Sequence, residues 1–270
     1  MRETPFICVT CGTQFAPSAE PPRCCAICED ERQYVGHNGQ QWTTLAELRG
    51  KHRNLIEPER GAMSICTQPE FAIGQRALLI ESAAGNILWD CVALLDDATI
   101  AAIEKLGGIS AIAISHPHYY TTMVEWSRAF ADAPIYLHAA DREWVMRPDP
   151  AIRFWEGETH ALQPGFTLIR CGGHFEGGTV LHQEAIADQP GVLYSGDIIS
   201  VCADRRYVTF MRSYPNAIPL GPAAIQHILA AVEPFSFDVL HGAFAGTVVV
   251  RAKEVVRQSA ARYLRAIRET

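Results

Sequence analysis

From residue 71 onward, short apolar runs recur at intervals bounded by Gly, Pro and Asp: RALLIES, NILWDC, AIAIS, PIYLH, FTLIRC, VLYSGD and FDVLHG. Runs of this length, rich in branched and aromatic residues, read as β-strands. Helical patterns lie between them. ATIAAIEKLGG closes on glycines, as a helix should. Tyr119, Met123, Trp126 and Phe130 share one helical face, and Ile225, Ile228, Leu229 and Val232 share another before Glu233-Pro234. A last helix, about 248 to 268, aligns Val256, Ala260, Tyr263 and Ile267. Alternating strands and helices place the chain in the α/β class, and the apolar stripes read as core. There is no internal repeat.

The first 35 residues have a different texture. They carry several prolines and too few large apolar side chains to fold by burial alone. Five of the nine cysteines fall within the first 28 residues. Cys8-Val-Thr-Cys11 and Cys25-Ala-Ile-Cys28 are two C-x2-C knuckles separated by 13 residues, a spacing that presents four thiolates to one ion. Structural zinc fits such a site and supplies the missing folding free energy. A rubredoxin-like iron site and unmetallated thiols are the alternatives. Cys24 duplicates the start of the second knuckle, but the spacing favours Cys25. The expected organisation is a zinc ribbon over residues 1–35, a connector over 36–70 with one short helix capped by Thr44 and Glu47, and a main domain over 71–270. Cys66, Cys91, Cys171 and Cys202 read as reduced core residues.

With 48% apolar and 20% charged residues among 270, the chain can bury a large core. A formal charge of -7 offers no basic face for phosphates, and residues 1–32 hold three Arg against five Asp and Glu. A small-molecule substrate is therefore expected, with no nucleic acid. The ribbon is expected to brace the main domain or contacts within a homo-oligomer. No signal peptide and no run of about 18 apolar residues is seen, so a cytoplasmic protein with no membrane partner is expected.

His116 and His118, one residue apart just past AIAIS, can point the same way at a strand's carboxyl end. Alone, an H-x-H pair is common on surface loops. Three further segments raise its weight. GGHFEGG sets His174 between glycine pairs, YSGD ends on Asp197, and DVLHG ends another strand on His241. In this order the segments resemble the metallo-β-lactamase superfamily of metallohydrolases, which carries an H-x-H-x-D-H motif followed by a His, an Asp and a final His. The resemblance covers about residues 71–245. It implies an αβ/βα four-layer sandwich with a metal at one edge between the sheets. It also implies metal ligands at His116, His118, His174, Asp197 and His241, with Asp90 of ILWDC supporting the site.

The chain departs from the pattern at Tyr120 and Thr121, where the family has the Asp and His of its second metal site. A phenol is a poor zinc ligand near neutral pH and a threonine hydroxyl poorer. One tightly held ion is expected, with a second site of Asp197 and His241 weak or empty. Zinc is expected there, with iron or manganese as alternatives. Such an ion with an open position makes hydroxide available near pH 7. The expected activity is hydrolysis of a small ester, lactone, thioester or related substrate. Asp197 would orient the nucleophile and take its proton, and Tyr120 or His241 would protonate the leaving group. Tyr120 also reads as a buried aromatic. Arg212, Tyr214 and Asn216 read either as substrate contacts or as parts of a rigid loop, and His138 as a satisfied histidine or a neighbour of the site. Two other classes fit the same ligands: an oxidoreductase resembling mononuclear iron persulfide dioxygenases, and a non-catalytic domain whose ribbon mediates protein contacts.

Overall fold

The seven strands of the first sheet run in the order Arg53–Glu59, Ala62–Gln68, Arg76–Ile80, Ile87–Trp89, Ala111–Ala113, Ile135–His138 and Ile152–Trp155. The computed structural model describes residues 3–187, 189–244, 246 and 248–267. Two units are distinguished, one through Leu137 with Asp141–Phe154, the other His138–Ala140 with the chain from Trp155 onward.

In the first unit, Ile87–Trp89 pairs in parallel with Ala111–Ala113, which pairs in parallel with Ile135–His138. The first two of these short strands are wholly buried, as expected of parallel strands covered on both faces. Asp97–Lys105 is the crossover helix before Ala111. Asp96 caps it, its Oδ1 accepting the Thr99 N–H at 2.7 Å. The next crossover carries a 3-10 turn, Pro117–Tyr119, and the helix Met123–Ala129. Trp126 is fully buried and donates its indole N–H to the Val92 carbonyl at 2.9 Å, which fixes that helix over the sheet.

The connector reading of residues 36–70 needs correction. Its short helix is present as Leu45–Arg49, with Thr44 and Glu47 forming the capping box. Residues 53–68, however, are a β-hairpin at the sheet's edge. Glu59 pairs with Ala62, leaving Arg60 and Gly61 as a two-residue turn with φ of 38° and 85°. Two positive φ values suit the right-handed twist of a hairpin. Pro58 is tolerated because Arg53–Glu59 is the edge strand.

The second unit holds a six-stranded sheet in the order Thr159–Gln163, Phe166–Arg170, Thr179–Gln183, Val192–Gly196, Val239–Gly242, Val248–Val250. Only the pair Val192–Gly196 with Val239–Gly242 is parallel, and its crossover carries the helix Pro222–Val232. Ile225, Ile228 and Val232 join Val256 and Ala260 in one core cluster. The last helix is Ala252–Ala266, shorter than its stripe suggests. Val248, Val249 and Val250 instead pair antiparallel with Val239–His241, as three β-branched residues favour. No helix among the described residues is long and apolar enough to cross a membrane.

Candidate metal centres

The four knuckle cysteines converge. Cys8 and Cys28 lie 3.6 Å apart at their sulfurs, as do Cys11 and Cys25. Sulfurs at about 2.3 Å around a tetrahedral ion stand roughly 3.8 Å from one another, so the cluster fits zinc. All four residues are buried, packed by Phe15, Trp42 and Trp144, whereas Cys24 is exposed. The register ambiguity therefore resolves to Cys25. Gln40 donates its amide to Cys8 Sγ at 3.2 Å, a bond that favours the thiolate. Hydrogen bonds from the other three thiols hold Cys8 well below the ordinary thiol range, while burial pushes Cys11 up. A divalent ion among the four sulfurs would offset the cost of burying thiolate charge there.

The second set of candidate donors is His116 and His118 in the first unit and His174 and Asp197 in the second, all buried. His116 and His118 flank Pro117 just past the strand Ala111–Ala113, their rings 5.1 Å apart. His116 Nδ1 is 2.9 Å from Ser115 Oγ. His174 donates from Nδ1 to the Met211 carbonyl at 3.1 Å. Contacts of this kind fix ring orientation and leave Nε2 as the natural donor to an ion. Asp197 follows the strand Val192–Gly196, and burial pushes its carboxyl up to about 7. The donor set of imidazoles and carboxylate suits zinc, iron or manganese.

His174 sits in a turn made by glycines. Gly172 and Gly173 have positive φ, and a Cβ on Gly178 would meet the Gly172 carbonyl and Ile198 Cδ1 at 2.7 Å. Asp90, also in the left-handed region with φ of 60°, accepts the Ser115 N–H at 2.8 Å and so pins the strand end that carries His116. Asp90→Ala is expected to lower stability by about 2–4 kcal/mol, through a lost charge-assisted hydrogen bond and an alanine held in the αL region. Asp90→Asn should lose less than half of that in denaturant unfolding.

The other predicted residues divide. His241 is fully buried in the strand Val239–Gly242 and stacks on Tyr194, with centroids 5.1 Å apart; it lies outside the four-donor group. Tyr120 is buried, and desolvation raises its phenol well above 10. Thr121 has a φ of 28°, rare for a β-branched residue, at a cost of about 1–3 kcal/mol. Tyr214 donates its hydroxyl to the Asp197 carbonyl at 2.9 Å, and its ring lies 5.7 Å from His174. His138 has both nitrogens engaged, with Ala140 N and the Gly157 carbonyl, which is the satisfied-histidine reading. Ser115, Gln40 and the Met211 carbonyl were not singled out by sequence, because their roles depend on which atoms they meet in space.

No family model matches the chain. Over 265 residues, spanning 97% of this chain and 96% of the relative, it is 52% identical to "Uncharacterized protein YmaE" of Bacillus subtilis (strain 168). The chain belongs to the YmaE family. Solved structures resemble this family member at lower identity. The crystal structure of VMB-1 matches with a TM-score of 0.58 at 12% identity, over 80% of this chain and 98% of that one. The DIM-1 metallo-β-lactamase exposed to ceftazidime matches at 0.57 and 12%, over 78% and 98%. FIM-1 from Pseudomonas aeruginosa, a metallo-β-lactamase in its mono-zinc form, matches at 0.56 and 15%, over 78% and 96%. This YmaE-family chain therefore has the α/β metallo-β-lactamase fold, preceded by a four-cysteine cluster.

Proposed function

We propose that this YmaE-family protein is a metal-dependent hydrolase with one catalytic ion, held by His116, His118, His174 and Asp197. The observation that carries the reading is a donor set of three buried imidazoles and one buried carboxylate, His116 and His118 in the first unit with His174 and Asp197 in the second, in a fold that FIM-1 shares in its mono-zinc form. When bound, a divalent ion supplies Lewis acidity toward a substrate oxygen and lowers the pKa of water. The residues supply the rest. Asp197 orients the water and accepts its proton on a carboxylate oxygen, and the Tyr214 hydroxyl on its backbone carbonyl holds that residue in place. Tyr120, kept protonated by burial, or His241 donates a proton to the leaving group. A small ester, lactone, thioester or related compound is the proposed substrate class, and Cys8, Cys11, Cys25 and Cys28 hold a structural zinc. The net charge of -7 favours such a substrate over nucleic acid.

Metal analysis of untagged full-length protein tests this. Two ions per chain are expected, falling to one in His116→Ala, with hydrolysis across a panel of esters, lactones and thioesters reduced by at least about 100-fold. An unchanged metal count in His116→Ala would refute the ligand assignment. Iron with oxygen consumption on a persulfide would replace hydrolysis with oxygenase chemistry.

A further inference from the structure

The two candidate centres meet at one buried side chain. Gln75 stands immediately before the strand Arg76–Ile80 and is 4% exposed. Its Nε2 donates to two carbonyls: that of Cys11 in the first knuckle at 2.7 Å, and that of His118 at 3.0 Å. Gly12 permits the approach. It adopts a φ of 78°, and a Cβ there would crowd Ala93 at 3.3 Å and Ala72 at 3.4 Å beside the Gln75 amide. A second tie runs in parallel, with the Gln14 N–H donating to the Thr121 carbonyl at 3.0 Å. Arg147, itself buried, fixes Gln14 by donating to its Oε1 and also to Glu125 at 2.6 Å.

We propose that Gln75 is a positioning residue that couples occupancy of the four-cysteine centre to metal retention at His116 and His118. The inference rests on the ligand assignment above. A primary amide has two N–H bonds, and here they are spent on two segments that are far apart in sequence but each adjacent to a metal donor. An ion on the cysteines fixes the Cys11 carbonyl, Gln75 transmits that position to the His118 carbonyl, and the Gln14 bond holds the strained Thr121 turn that follows. Without the ion on the cysteines the knuckle loosens, and the histidine pair loses the preorganisation on which tight binding depends.

Gln75→Met keeps side-chain volume while removing both donors. In full-length protein loaded with cobalt(II), thiolate-to-metal absorption reports the cysteine-bound ion separately from the imidazole-bound one. The expected result is an unchanged thiolate band with an imidazole-site ion that a competing chelator removes roughly 10–100-fold more readily than from wild type. The melting temperature of the metal-free variant, measured alongside, reads any general loss of structure. Cys28→Ser, which empties the first centre, is expected to weaken the second ion to a similar degree. Wild-type retention in Gln75→Met, or a full-strength second ion in Cys28→Ser, would overturn the coupling. His116→Ala separates the two levels. If it holds as many ions as wild type, the ligand assignment itself fails and the coupling with it.

Discussion

Asp197→Asn is expected to abolish the imidazole-site ion and, at the same time, to stabilise the metal-free fold at neutral pH. Burial pushes this carboxyl up to about 7 from an ordinary 3.8. A buried acid of this kind costs nothing while both folded and unfolded states are protonated, below about pH 4. As pH rises from about 4 through about 7, the unfolded chain ionises and the folded one resists. Folding stability of the metal-free protein therefore falls across that window, by on the order of 4 kcal/mol once the carboxyl is ionised. The amide has no such dependence. A cation beside the carboxylate reverses the balance, so metal retention should weaken as pH drops below about 7. Denaturant unfolding of metal-free wild type and variant from about pH 4 to about pH 8, with metal counts over the same range, checks both signs. Parallel stability profiles for the two proteins would remove the buried-acid argument.

The second large effect concerns the cysteines. Cys28→Ser is expected to release the ion held by the four cysteines and to disorder the segment it organises, since binding supplies on the order of 10 kcal/mol in comparable zinc peptides. Apart from Ile7, Ile27 and the cysteines themselves, few apolar side chains described in the first 35 residues are fully buried. Limited proteolysis should then cut within residues 3–35 while the sheet from Arg53 onward resists. Equal protection in variant and wild type would show that packing alone holds the segment.

The candidate metal donors were legible in the sequence because their spacing is local. Two knuckles, one H-x-H and a histidine among glycines can each be read within a few residues, and the order of the segments supplied the fold. The hairpin over residues 53–68 was hidden because its turn is Arg60-Gly61 rather than Asn-Gly, and because Pro58 argues against a strand unless the strand is known to be an edge. Gln75 was invisible for a deeper reason. Its function lies in two carbonyls, Cys11 and His118, that any residues at those positions would possess. Asp90 stands between the two cases: the acid was visible at a strand end, but its partner, the Ser115 N–H, was not.

The burial of the cysteine cluster also has a kinetic meaning. Cys8, Cys11 and Cys25 are 0% exposed and Cys28 2%, so no chelator or incoming metal can reach a sulfur by stepwise attack from solvent. Exchange of an ion bound there would wait for the segment to open, and its rate would measure local unfolding rather than coordination chemistry. An ion acquired as the chain first folds would then be kept on the timescale of that opening, whatever the surrounding metal supply.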